Sequence, residues 1–429
     1  MSAYANRAYI DKNYKPSRND VVVEYYMEPY RVQFWKAAVY VAAESSIGTW
    51  TTIKTMNPKI AKKLRPTIFY MDSKKNIIKI AYPHELFEAG NMPQIFSSIG
   101  GNVFGMKSVK NLRLEDVSYP KVIIDKFKGP RFGIEGIRKL TKVYRRPLLG
   151  TIVKPKVGLD EKQHAKIAYN AWVGGLDIVK DDENLSSMSF NKFKKRIELT
   201  LKMRDRAEKE TGEKKIYMPN ITAETIEMVR RAAHVKMNGG EYIMIDILTA
   251  GWAGLQTMRE RNDKQFIHAH RAGHAALTRN EKHGISMAVL ADAARLIGVD
   301  QLHIGTAAIG KMHGSKEEEL ALLKDIEYKK IFANPKLHVL EQRWYNIKPV
   351  MAVASGGLHP GMVPKLIRTM SKNIVIQMGG GVTGHPDGTL AGAKAVRQAV
   401  EAYYAKEGYD VYKKKYPELY KAIKKWGRG

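Results

Sequence analysis

The 429-residue chain has no cysteine, which removes disulfides, thiolate metal sites and a cysteine nucleophile and leaves the cytoplasm as its expected location. No run approaches the roughly 18 apolar residues of a membrane span, and no apolar secretory segment follows Met1. The formal charge of +29 is spread over mixed-charge segments, with one basic run in the tail (Lys413-Lys414-Lys415 through Lys424-Lys425) and no zinc finger or RNP motif. An anionic substrate or an unusual ionic environment accounts for it, and nucleic-acid binding on a non-catalytic scaffold is the remote alternative.

The first 130 residues mix strand and helix patterns. Residues 21–26 read as a strand. A helix follows over 31–44, with Phe34, Ala37, Ala38, Val41 and Ala42 on one face. It ends in a polar, glycine-containing loop through Glu44, Thr49 and Trp50, a composition suited to ligand contact. Further strands are expected over 67–70, 77–82 and 117–124. Together they predict a small α+β domain over residues 1–130 with an antiparallel sheet. Pro130 and Pro147 punctuate the passage out of it.

From Leu148 short β-branched runs recur, each followed by a helical pattern: 148–153, 176–179, 215–218, 242–245, 266–268, 301–304, 350–354 and 374–377. Eight such units predict a (βα)₈ barrel over 131–429, closed by C-terminal helices. A doubly wound sheet is the competitor, but no Gly-x-Gly-x-x-Gly follows the first strand.

Chemistry in such barrels sits at the carboxyl ends of the strands, and nearly every one here ends in an ionisable, polar or glycine residue. The first ends in Lys154-Pro155-Lys156, which reads either as a phosphate- or proton-handling pair or as a solvated basic turn. The second runs through Gly174-Gly175-Leu176-Asp177-Ile178-Val179-Lys180-Asp181-Asp182-Glu183-Asn184. Asp182 and Glu183 suit a hard cation such as Mg²⁺. Lys180 just before them is either a salt-bridge partner or a buried neutral amine that has captured carbon dioxide as a carbamate, adding an anionic oxygen ligand.

His268, His270 and His274 cluster after the fifth strand. A His-x-His pair can bind zinc, whereas Arg271 beside it favours phosphate, with His270 as a base. His303 opens a glycine-rich segment through Gly305, Gly310 and Gly314 that carries Lys311, either a mobile lid or a plain surface loop. Ser355-Gly356-Gly357 and Gln377-Met378-Gly379-Gly380 follow the last two strands, where backbone N–H groups bind phosphate in many barrels.

Taken together these segments resemble the large subunit of ribulose-1,5-bisphosphate carboxylase/oxygenase, RuBisCO, over almost the whole chain. The segment 174–184 is similar to that family's Gly-Gly-Leu-Asp-x-x-Lys-Asp-Asp-Glu-Asn signature. The resemblance implies a ferredoxin-like α+β domain before a TIM barrel, and Mg²⁺ held by carbamylated Lys180, Asp182 and Glu183. It implies Lys154 and His270 as catalytic bases and Lys311 as the lid lysine. Substrate ligands would be Lys156, Arg271, His303, Ser355, Gly356, Gly357, Gln377, Met378, Gly379 and Gly380. Glu44, Thr49, Trp50 and Asn102 would complete the site of a partner subunit, which implies a homodimer or an assembly of dimers. The implied reaction adds CO₂ or O₂ to the enediolate of ribulose 1,5-bisphosphate, carboxylation giving two 3-phosphoglycerate.

Some positions depart from the plant pattern. Ile152 stands where plant enzymes carry threonine, His313 replaces a glutamate, the lid is one residue longer and the long carboxyl tail is missing. With Thr-Ala-Ala-Ile-Gly-Lys-Met in the lid, these features resemble the archaeal form III enzymes, which work without small subunits and serve AMP and nucleoside salvage. A RuBisCO-like enolase or isomerase is the nearest alternative, but such relatives lose substrate or lid residues that this chain keeps.

Overall fold

The structure is a computed structural model that describes residues 7–49, 51, 53–262 and 264–429. It resolves into two compact units that are discontinuous in sequence. One gathers the described residues up to Gly129 with Gly273–Ile297 and Tyr328–Ile347, and the other holds Pro130–Ala272, Gly298–Glu327 and Lys348–Gly429.

The described residues form fifteen strands. The first four are β1 (Asp20–Pro29), β2 (Thr67–Asp72), β3 (Ile77–Pro83) and β4 (Val109–Ser118). Five barrel strands follow: β5 (Leu148–Ile152), β6 (Ile178–Lys180), β7 (Ile216–Met218), β8 (Tyr242–Asp246) and β9 (Phe266–His270). Then come β10 (Gly284–Ile285), β11 (Gln301–His303), the short pair β12 (Lys330–Ile331) and β13 (Gln342–Arg343), β14 (Met351–Ser355) and β15 (Ile374–Met378).

In the first unit the sheet order is β10-β4-β1-β3-β2. β1 lies antiparallel between β3 and β4 and buries Val21, Val23, Tyr25 and Met27. With helices Phe34–Glu44 and Met92–Ile99 between the strands, this is the ferredoxin-like βαββαβ arrangement, to which β10 adds a parallel edge. The first helix buries Ala37, Ala38, Val41 and Ala42 as its periodicity predicts. The strand expected over 117–124 lies upstream instead. β4 ends at Ser118, Pro120 breaks the ladder, and Lys121–Ile124 forms one helical turn.

In the second unit eight parallel strands run in the order β7-β6-β5-β15-β14-β11-β9-β8. The ring closes through the bridge Asn220–Met244, between the residue two places beyond β7 and the middle of β8. One set of alternate residues fills the interior, including Leu148, Ile178, Ile216, Met218, Met244, Met351, Val353 and Val375. The helix Gly133–Thr141 plugs the amino end with Ile137, and Phe132 stacks on Phe266 at 4.0 Å between ring centroids. Asp300 fastens this plug by accepting the backbone N–H groups of Phe132 and Gly133, each at 2.8 Å. With one end sealed, ligand chemistry belongs to the other.

Candidate active site

The carboxyl end of β6 brings the expected metal ligands together. Lys180 is 1% exposed; its Nζ donates to the Asp181 carbonyl at 2.8 Å and lies 3.5 Å from Glu183 Oε2 and 3.3 Å from Met244 Sδ. Burial lowers its pKa, against the pull of Glu183, Asp182 and Asp181 towards the charged form. A depressed amine is the reactive state for carbon dioxide, because only the neutral form has a lone pair. Glu183 is pushed up by burial, but Lys180, His270 and Lys156 overcome this and hold it at about 2.

The Lys-Pro-Lys segment after β5 reaches the same carboxylates. Lys154 Nζ pairs with Asp182 Oδ2 at 2.6 Å, and Lys156 Nζ lies 3.7 Å from Glu183 Oε1. His270, at the end of β9, points its Nε2 towards Glu183 at 3.6 Å, while its Nδ1 lies 3.3 Å from Asp246 Oδ1. Asp246 is itself fixed by the Ala272 N–H at 2.8 Å. The β8–β9 register places Asp246 opposite His270.

His303 joins a buried file of side chains. His268 Nδ1 lies 2.9 Å from Gln301 Oε1, His268 Nε2 lies 2.9 Å from His303 Nε2, and His303 Nδ1 lies 2.7 Å from the Ser355 hydroxyl. Burial and the cationic neighbours depress both imidazoles, His268 to about 3 and His303 well below the usual range. His268 is thus tied into the barrel interior as a neutral ring. His270 and His303 still meet edge to face at 4.7 Å.

Arg271 is half-buried, and desolvation lowers its pKa to about 10, with Glu319 opposing the shift. Among the described residues no three histidine, aspartate or glutamate side chains converge as a metal cluster. The zinc alternative for the His-x-His segment therefore has no ligand set around it, while the Lys180 group needs the carbamate to supply its third oxygen donor. With Lys180 carbamylated, that set would offer three anionic oxygens and suit Mg²⁺.

The Lys311 N–H donates to the Gly356 carbonyl at 3.1 Å, so segment 305–314 lies against Ser355-Gly356-Gly357. A side chain at Gly357 would meet Lys311 Cβ at 2.6 Å, and one at Gly379 would meet Lys154 Cε at 2.9 Å. Gly380 opens the short helix Gly380–Thr383. Gln377 and Met378 are buried in β15, and the Met378 carbonyl accepts from Thr151 Oγ1 at 2.7 Å.

In the first unit Asn102 Nδ2 approaches Glu44 Oε1 at 3.5 Å and Thr49 is half-buried. Trp50 lies outside the described residues.

Asp181 was missed altogether. It is completely buried and accepts from Tyr217 OH at 2.6 Å, the Asn220 N–H at 3.0 Å and Arg196 Nε at 3.1 Å, with His164 Nε2 at 3.0 Å. Burial would raise its carboxyl, but Arg196 and these hydrogen bonds hold it far below the usual carboxylate range. This clasp faces away from the mouth and fixes the backbone between Lys180 and Asp182.

A parallel barrel with bases, carboxylates and glycine loops converging on one mouth defines an enzyme of the (βα)₈ class. The comparisons with known proteins then give its family. The chain belongs to the ribulose bisphosphate carboxylase large chain family: the catalytic-domain model matches residues 133–426 and the N-terminal-domain model residues 8–123. Ribulose bisphosphate carboxylase of Methanosarcina mazei is 51% identical, covering 98% of this chain and 99% of that one. The Methanocaldococcus jannaschii enzyme is 50% identical, covering 97% and 99%. Among solved structures, the dimeric archaeal Rubisco of Hyperthermus butylicus superposes with a TM-score of 0.93 at 44% identity, covering 100% of both chains. The octameric Pyrococcus horikoshii enzyme, crystallised with sulfate, gives 0.90 at 48%, covering 98% of this chain and 96% of that one.

Proposed function

We propose that this chain is a Mg²⁺-dependent ribulose-1,5-bisphosphate carboxylase/oxygenase of archaeal form III type, activated by carbon dioxide at Lys180. The observation that carries the activation step is a lysine 1% exposed, with a depressed pKa, beside two carboxylates at a barrel mouth. Its neutral amine attacks carbon dioxide, a C–N bond forms and one proton leaves, giving the carbamate. With Asp182 and Glu183 it would hold Mg²⁺. Bound there, the ion supplies Lewis-acid polarisation of the substrate ketone and the adjacent hydroxyl.

The side chains then divide the work. Lys154, ion-paired with Asp182 at 2.6 Å, would take the substrate proton whose loss gives the enediolate once Asp182 turns to the metal and the amine has released its own proton, and would later return one. The enediolate carbon attacks a second carbon dioxide. Lys311 offsets charge on the new carboxylate, and a closed lid excludes water. His270, oriented by Asp246, serves as the second base during hydration. Cleavage of the carbon–carbon bond and protonation give two 3-phosphoglycerate.

Arg271 and His303 hold one phosphate. Lys156, Ser355, Gly356, Gly357, Gln377, Met378, Gly379 and Gly380 complete substrate binding. Residues 1–130, through Glu44, Thr49, Trp50 and Asn102, complete the site of a partner subunit in a homodimer or an assembly of dimers, without small subunits. The dimeric and octameric relatives support this reading. Among the described residues no helix is long and apolar enough to cross a membrane; a cytoplasmic role in AMP and nucleoside salvage is in keeping with the form III resemblance.

The test is direct. Protein incubated with Mg²⁺ and bicarbonate should carry labelled carbon dioxide into phosphoglycerate when given ribulose bisphosphate, and Lys180→Ala should abolish this. No label fixed at any temperature would overturn the reading.

A further inference from the structure

Glu319 lies in the first turn of helix Lys316–Glu327, after the exposed Glu317 and Glu318, yet it is only 8% exposed. Its carboxylate turns back under the lid. Oε2 accepts the Thr306 N–H at 2.9 Å and the Ala308 N–H at 3.4 Å. Ala307 and Ala308 both have positive φ, 51° and 59°, a costly backbone for alanine that aims successive N–H groups at one anion.

The same carboxylate touches both ends of the lid. A Cβ at Gly305 would stand 1.9 Å from Glu319 Oε1 and one at Gly314 would stand 2.0 Å from it. From this anchor a chain of hydrogen bonds runs outward. Thr306 Oγ1 accepts the Gly310 N–H at 2.8 Å, and the next residue, Lys311, donates to the Gly356 carbonyl at 3.1 Å.

We propose that Glu319 is a positioning residue for the lid, its buried carboxylate pinning both hinges of segment 305–314 and so setting where Lys311 sits. The proposal rests on Lys311 being the group that meets the new carboxylate. Glu319 touches no reacting atom, so proton removal by Lys154 does not depend on it. Carboxylation, which needs Lys311 over the mouth, does.

Two rates separate these steps: exchange of the substrate's abstractable proton with solvent, and incorporation of labelled carbon dioxide. In Glu319→Gln the exchange should stay within about twofold of wild type while incorporation falls roughly tenfold. Both rates unchanged, or both lowered by the same factor, would overturn the proposal. Gly314→Ala leaves Glu319 in the chain but displaces its carboxylate, and it should show the same split; it decides the matter where Glu319→Gln does not fold. Hydrogen exchange at the Thr306 and Ala308 amides needs no turnover and should quicken at least about tenfold in either variant. Protection equal to wild type would refute the anchor. A wild-type protein that fixes no carbon dioxide would instead refute the carboxylase reading, and the amide exchange would still judge Glu319.

Discussion

Lys154 Nζ rests 2.6 Å from Asp182 Oδ2, so the expected proton-handling amine is paired with a carboxylate expected to bind metal. The two roles compete for one carboxylate. Lys154→Met should therefore bind Mg²⁺ about tenfold tighter in isothermal titration at fixed bicarbonate, since a neighbouring cation is removed. Its substrate proton exchange should fall by roughly a hundredfold or more. Weaker Mg²⁺ binding in this variant would contradict the arrangement.

Gly379 leaves room for the same lysine. In Gly379→Ala the new methyl arrives 2.9 Å from Lys154 Cε and the side chain must move aside. Proton exchange should drop roughly tenfold through misplacement alone. The melting temperature should change by no more than about 2 °C, because a flexible side chain can yield more cheaply than backbone. A normal exchange rate would show that Lys154 needs no fixed position.

Asp181 is a stability determinant beside the site. Asp181→Ala would leave the fully buried Arg196 without its carboxylate and remove acceptors from Tyr217 and the Asn220 amide. Breaking a buried pair from one side costs about 3–5 kcal/mol. Chemical denaturation should report a loss of that order, and a deficit below about 1 kcal/mol would mean the clasp is dispensable.

His338 and Glu24 link a loop to the first unit's sheet, with His338 Nδ1 2.6 Å from Glu24 Oε1. The bond to Glu24 raises the pKa of His338, so its stabilisation is full below the ordinary histidine value and fades as pH climbs through the raised one. Glu24 is pushed up by burial, but His338 and Lys79 bring it below the ordinary carboxylate value. Its contribution is therefore present above that value and fades as pH falls through the lowered one. Melts of His338→Gln should show their largest deficit between about pH 5 and 6.5, narrowing towards pH 9. A deficit that does not vary with pH would rule out the ion pair as its source.

The barrel was legible because periodicity and strand-end chemistry are local. Lys180, Asp182, Glu183, Lys154 and His270 each stood at a predicted strand end, and the closed ring brings them to one mouth. The strand over 117–124 failed because apolar Val122-Ile123-Ile124 suits a buried helical turn equally well, and Pro120 decides between them. Asp181 was hidden because it faces away from its functional neighbours, towards Arg196 on a helix and Tyr217 on another strand. Glu319 follows two other glutamates directly in sequence. Only the folded lid shows which of them turns inward.

One seam of the barrel wall, between β7 and β8, lies beside Lys180. β8 and β9 share five paired positions, whereas β7 meets β8 beyond its own end, where the Met244 N–H donates to the Pro219 carbonyl at 2.8 Å and the Ile221 N–H to the Met244 carbonyl at 3.1 Å. Met244 also places its sulfur 3.3 Å from Lys180 Nζ. Fraying at this seam would admit water to the amine and restore its ordinary basicity long before the remaining strands part. Heat should therefore silence the enzyme in two stages, first an inactivation reversible on cooling and only later collapse of the barrel.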